Sequence, residues 1–280
     1  LRFTLNFIFR SELGMEWQAH YNPPAETGQP VLAYTRQADL KYPFILAHSL
    51  LFENGIYDKS AELLPAQQQD DIPQIFTHTA SDLLGFDVFA AVFYMLSRYE
   101  EYLPFSPDRH GRFPASQSLA YTRQFLHRPV VNEWIRVLKQ KLQQWYPGLA
   151  FRKKSFWLLP TFDVDNAFAY AHKPLLRQIA SAGRDFARAD FASLGERFRV
   201  LTGRQTDPYA HYHHIKDLHE KAALKPVFFF QLSQYAPYDR NLSWKNKAYR
   251  QLIRNTAGYA DIGLHPGYRA GENQQVLQEE

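Results

Sequence analysis

The chain has 280 residues, of which 45% are hydrophobic and 21% charged, enough apolar material for a sizeable core and too much for wholesale disorder. Cysteine is absent, which excludes disulfides, thiolate nucleophiles and cysteine-ligated zinc. The 32 basic and 28 acidic side chains leave a formal charge of +4, read as a mild surplus spread along the chain that argues weakly for any polyanion partner. No apolar run reaches the roughly 18 residues that a membrane-spanning helix requires. No secretory leader is visible, which is weak evidence in a chain that begins at Leu1 rather than Met; the location is left open, with cytoplasmic slightly favoured. The closing residues, ENQQVLQEE, carry a helical pattern without a stop signal, and the sequence reads as part of a longer protein. Aromatic residues reach 16%; packing accounts for most such rings, and stacking on sugar faces is the functional alternative.

The opening segment LRFTLNFIFRSELG places Leu5, Ile8, Phe9 and Leu13 at helical spacing, with Gly14 as a C-terminal stop. The stretch from Pro23 to Pro30 reads as loop, VLAYT at 31–35 as a short strand, and AQQQDD at 66–71 as polar loop. From Asp82 to Leu103 the pattern predicts one long helix, with Phe86, Phe89, Phe93 and Leu96 on a single face and Pro104 at its end. A loop, FSPDRHGRF, follows at 105–113. A further helix runs from about Val131 to Trp145, stopped by Pro147 and Gly148.

The character changes near 149–154, where a domain boundary is placed: a mixed α+β domain over 1–150 and an α/β domain over 151–280. SFWLLPTF at 155–162 predicts a buried strand, and 174–201 a long helix. Asp207-Pro208 opens another helix that runs to about Lys225. VFFFQL after Pro226 is a second buried strand. Ser243 caps the helix SWKNKAYRQLIRNTAG, which ends at Gly258, and ADIGLH at 260–265 is a third strand. Strands alternating with helices are the grammar of a parallel α/β layout.

Two segments could carry chemistry, TFDVDNA at 161–167 and DIGLHPGY at 261–268, and both fall at the C-terminal ends of predicted parallel strands, where active sites gather. Asp163 and Asp165 are two apart and point to one side if the chain stays extended. Two adjacent carboxylates are costly unless a cation or a shared proton separates them. His265 could give a neutral nitrogen to the same ion. The plainer reading is an Asp that caps the next helix and a histidine at the surface.

TFDVD followed by DIGLHP resembles motifs one and two of the polysaccharide deacetylase family, also called the NodB homology or carbohydrate esterase 4 group. KPVFFFQL at 225–232 resembles the second barrel strand of that fold. SRYEEYLPFSPDRHGRF at 97–113 and FILAHSLLFENGIYDK at 44–59 resemble the domain that precedes the barrel in an uncharacterised bacterial subgroup. The resemblance implies a distorted (β/α) barrel that hydrolyses acetyl groups from a carbohydrate substrate with a divalent metal, zinc first. It assigns Asp163 as general base and Asp165 and His265 as metal ligands, with Tyr268 and Arg269 in contact with substrate. The family's second histidine lies four residues after the first; here that position is Arg269, which cannot ligate a metal. The later family motifs are not in the sequence, and about three strands are too few to close a barrel, so an incomplete barrel is expected.

Other candidates rank lower. His211, His213, His214 and His219 in AHYHHIKDLHE could give a third ligand, or could line a solvated helix face. Arg98, Glu100, Glu101 and the run Asp108 to Arg112 form a charged cluster, read as an ion-pair network or as a sugar or partner contact. A non-catalytic glycan- or protein-binding module is the competing class. A nucleic-acid partner is not expected, since it rests on the basic pI alone.

Overall fold

In the computed structural model, residues 1–21, 28–37, 41–56, 68–69, 72–79, 81–153, 155–271 and 273–280 are described. The chain divides into two units, Leu1–Lys154 and Ser155–Glu280.

The first unit opens with helix α1 (Arg2–Leu5), which widens into a π-helical stretch over Asn6–Glu12. The Leu13 N–H donates to the Ile8 carbonyl at 2.9 Å, a five-residue step, and both side chains are buried. Gly14 then turns the chain with φ of 65°, and a Cβ there would lie 2.4 Å from the Cβ of Arg152. Backbone and space both demand glycine at this stop. Strand β1 (Ala33–Thr35) pairs in parallel with β2 (Phe44–Leu46). Strands β3 (Gln68–Gln69), inside the polar loop predicted over 66–71, and β4 (Ile72–Pro73), just after it, form a minimal antiparallel pair. The rest of that loop, and residues 23–27 of the proline-rich loop, lie outside the described residues, as do residues 57–59 of the FILAHSLLFENGIYDK segment.

Helix α2 (Val88–Leu96) is far shorter than the predicted span from Asp82 to Leu103. Two aspartates shorten its start. Asp82 accepts the N–H groups of Leu84 and Gly85 and fixes a turn, with Gly85 at φ of 77°. Asp87 caps the helix by accepting from Phe89 at 2.9 Å and Ala90 at 3.0 Å. At the other end Arg98 sits in the left-handed region, and a 3-10 turn over Tyr99–Tyr102 replaces the last helical turn. The apolar spacing continues through both breaks, which is why periodicity alone overran them. Asp87 is fully buried and also accepts the Tyr34 hydroxyl and the His48 N–H, each at 2.7 Å. Burial pushes its carboxyl above the usual range even against those donors.

After the short helix α3 (Leu119–Thr122) comes α4 (Val130–Trp145). It buries Val130, Trp134, Ile135, Leu138 and Leu142 on one stripe, and the Trp134 indole N–H donates to the Pro73 carbonyl at 2.6 Å. The charged cluster is tied down locally: Arg98 pairs with Glu101, Glu100 accepts the Leu119 N–H, and Asp108 accepts from His110 and Arg112.

The second unit is built on a parallel sheet of β5 (Thr161–Val164), β6 (Val227–Gln231) and β7 (Asp261–His265) in that order. Helices α5 (Leu175–Ala187), α6 (Phe191–Leu201) and α7 (Tyr212–Lys221) precede β6 (Val227–Gln231). Helix α8 (Lys247–Ala257) leads to β7 (Asp261–His265), and α9 (Gln274–Glu279) follows. The three strands form an open sheet within a mixed α/β architecture.

Several boundaries differ from those predicted, for local reasons. The helix predicted over 174–201 is two helices, because Ala189 adopts φ of 54° and Asp190 caps a new start by accepting from Ser193. The helix predicted from Asp207 begins at Tyr212, since the Asp207 carboxylate is engaged elsewhere. The cap of α8 is Asn246, which accepts from Ala248 and Tyr249, rather than Ser243. The buried strand predicted over 155–162 shrinks to its end. Pairing starts at Thr161 opposite Val227, with the Pro160 carbonyl accepting the Val227 N–H at 2.9 Å; among the described residues no strand pairs with 155–159, and Phe156 and Trp157 are exposed.

Phe162 and Phe228 stack at 4.7 Å, and Phe228 and Phe230, each 1% exposed, lie on the sheet face that carries the core with Val164, Leu242 and Tyr249. Burying each of those two rings contributes about 2 kcal/mol. The opposite face of the sheet carries Asp163, Phe229, Gln231 and His265.

Candidate functional site

Thr161, Val227 and Asp261 are level, and the register continues to Val164, Phe230 and Leu264. Side chains alternate along a strand, so Asp163, Phe229 and Gly263 share the face opposite the core, as do Gln231 and His265 one step further. Strand β6 separates β5 from β7, and two strand spacings amount to about 9.6 Å. Groups on β5 and β7 meet only by reaching across the end of β6.

Asp165 and His265 do so. The Asp165 Oδ1 lies 3.7 Å from the His265 Nδ1. Gln231, the residue between them, is drawn aside, because its amide donates to Asp239 at 2.8 Å. Gly263 is fixed by the same crowding: a Cβ there would fall 2.4 Å from the Phe229 ring.

The His265 Nδ1 is closed to solvent and has no hydrogen-bond partner among the described residues, while the Asp165 side chain is 62% exposed. A gap of 3.7 Å is too long for a hydrogen bond. It is close to the ~3.4 Å that separates two donors of a tetrahedral zinc ion with bonds near 2.1 Å. An imidazole nitrogen and a carboxylate oxygen are donor types that zinc accepts, and two of them are one short of the three protein ligands of a catalytic zinc site. Among the described residues no group of three or more His, Asp or Glu side chains could hold an ion together. Asp163 is exposed on β5 and does not complete such a group. The histidines of α7 do not join the pair either: His213 faces Asp217 at 3.4 Å and His219 lies 2.7 Å from the Ile215 carbonyl.

The loop after β7 is held by groups that the sequence reading did not assign. The Tyr268 N–H donates to both oxygens of the buried Asp239, at 2.9 and 3.1 Å. Asn241 accepts from the Ser233 hydroxyl and donates to the Gln231 and Ser233 carbonyls. Gly267 packs so closely on Ser233 that a Cβ would come within 2.4 Å of it. Tyr268 faces Tyr238 with ring centroids 4.6 Å apart, and the Arg177 guanidinium lies 4.8 Å above Tyr235. Arg269 is exposed on the turn over Tyr268–Gly271.

The loop after β5 is pinned by Asp207. Its carboxylate accepts the N–H groups of Ala169, Tyr170 and Ala171, each at 2.8 Å, and of Tyr209 at 3.0 Å. Burial pushes this carboxyl up, but the four donors outweigh it and hold it below the ordinary range. Beside it, burial and then the neighbouring Arg177 lower Lys173 to about 8, with its ammonium bonded to the Ala169 carbonyl. Aspartates and asparagines in loops after strands are the one signal that could have flagged these anchors.

Fold and site together define a two-unit α/β protein that carries an acid–imidazole pair at the C-terminal ends of parallel strands. Residues 1–147 match a family of unknown function, DUF7033, and the chain belongs to that family. No curated protein and no solved structure matches the chain.

Proposed function

We propose that the protein is a metal-dependent hydrolase that removes acetyl groups from a carbohydrate, with the second unit forming the first part of a NodB-like barrel. The observation that carries this reading is the solvent-closed, unpartnered Nδ1 of His265 facing the Asp165 carboxylate at 3.7 Å. Asp165 and His265 would hold a divalent ion, zinc first. When bound, such an ion supplies Lewis acidity and lowers the pKa of a bound water to about 7. Asp163, exposed on the same face, accepts the proton of the attacking water. The ring of Tyr268 and the guanidinium of Arg269 contact the sugar.

Calorimetric titration with zinc, paired with thermal unfolding, tests this. An ion bound to the folded state alone raises stability by about 2.7 kcal/mol at a hundredfold excess over Kd. Asp165→Ala and His265→Ala should each abolish the heat and the shift, while Asp163→Ala keeps both and loses turnover. Unchanged unfolding of the parent protein in millimolar zinc, cobalt or manganese rules the reading out. A second reading, a degenerate barrel that binds glycan without catalysis, is favoured by Arg269 standing where the resemblance expects a second ligating histidine. It predicts metal-independent oligosaccharide binding.

A further inference from the structure

Helices α5 and α6 are amphipathic the wrong way round. Beside Val200, the side chains they bury are polar: Arg197 and Gln178, each 8% exposed, are hydrogen-bonded at 3.0 Å, Arg197 also pairs with Asp185, and its guanidinium lies 4.7 Å over the Tyr170 ring. The side they turn outward is apolar. On α5, Leu175, Leu176, Ile179 and Phe186 recur at helical spacing and are 60–82% exposed. On α6, Phe191, Phe198 and Leu201 do the same at 51–65%. Phe186 and Phe191 meet edge to face at 6.3 Å, which joins the two rows at the hairpin's turn. Large exposed apolar surfaces on a folded protein mark a contact.

The charge of the same segment indicates with what. Residues 173–205 hold seven basic and three acidic side chains, a surplus of four. The other 247 residues hold 25 of each and sum to zero. The net charge is thus not spread along the chain but resides in this hairpin. Arg197 is used inward, but Arg184, Arg188, Arg199 and Arg204 are all exposed around the apolar rows. A second copy would bring like charge against like. An anionic lipid surface offers both an acyl boundary for leucine and phenylalanine and headgroup charge for arginine. No helix among the described residues is long and apolar enough to cross a membrane, so the hairpin would lie in the interface plane. The geometry points to α5–α6 as a peripheral membrane-docking hairpin for anionic lipid. This goes beyond the hydrolase reading and does not depend on it.

Vesicle flotation of the whole chain provides the test. Vesicles of phosphatidylcholine with about 30 mol% phosphatidylglycerol should bind at least tenfold more protein than phosphatidylcholine alone, since each arginine near an anionic surface is worth roughly fivefold. About 0.5 M NaCl should erase most of that gain by screening. The double variants Ile179→Glu/Phe198→Glu and Arg184→Glu/Arg188→Glu should each lose about tenfold or more. Their Tm should stay within a few degrees, because all four sites are exposed. Asp165→Ala should bind vesicles as the parent does, which separates this result from any failure of the metal site. Absence of flotation at either composition overturns the proposal, as does flotation that both double variants retain. So does a lipid-independent dimer, seen by sedimentation velocity, that Ile179→Glu/Phe198→Glu dissolves.

Discussion

Replacing Asp207 with alanine removes one carboxylate and strands four backbone donors, those of Ala169, Tyr170, Ala171 and Tyr209. Hydrogen bonds to a charged acceptor contribute about 1.5–3 kcal/mol each, but a surface loop relaxes and water reaches part of what is exposed. A loss of about 3–4 kcal/mol from the second unit is expected, with Asp207→Asn losing about half because one oxygen still accepts. The carboxyl is held below its unfolded value near 3.9. Its contribution is therefore fully present above that pH and disappears as pH falls through the folded value. The gap in stability between parent and Asp207→Ala should be constant from neutral pH down to about 5 and narrow steadily below about 4. Urea unfolding across that range measures the gap, and hydrogen exchange at Ala169, Tyr170 and Ala171 localises it. A cost under 1 kcal/mol, or a gap that widens on acidification, would refute the assignment of Asp207 as the anchor of this loop.

Gly263→Ala should cost about 1–3 kcal/mol in thermal unfolding, because the new methyl lands inside the Phe229 ring's contact distance. Tyr34→Phe should cost about 1–2 kcal/mol in urea unfolding of the first unit by leaving the buried Asp87 one donor short. Reductive methylation with carbon-13 should reveal one lysine that titrates near 8, absent in Lys173→Arg. Since the folded value lies below the unfolded one near 10.4, Lys173 adds stability as pH rises through that window rather than removing it.

Elements whose signal is local were legible in the chain. The stripe of α4 follows from 3.6-residue periodicity, and the helical spacing of Leu5, Ile8, Phe9 and Leu13 is met by the α-to-π helix that Gly14 ends. Boundaries were legible only where a residue announces itself. Arg98 and Ala189 adopt left-handed backbone without being glycine or asparagine, so nothing in their identity signals the breaks they make. The strand predicted over SFWLLPTF shows the converse: apolar content was present, but a strand exists only where another strand pairs with it, and pairing began at Thr161.

What the sequence by itself determined was which atoms could act: two carboxylates at a two-residue interval and an imidazole at the end of a third strand, because side-chain direction along an extended chain is a property of the backbone. What only the tertiary structure decided was which of them meet. Asp165, just past the end of β5, and His265 on β7 close to 3.7 Å over the end of the β6 strand that separates them. Strand order, the space left at Gly263 and the pull of Asp239 on Gln231 set that meeting, and each depends on residues far apart in the chain. The same holds for the hairpin of α5 and α6: its apolar periodicity is written in the sequence, but that it faces outward is a consequence of what Arg197, Gln178 and Asp185 found to bond with inside.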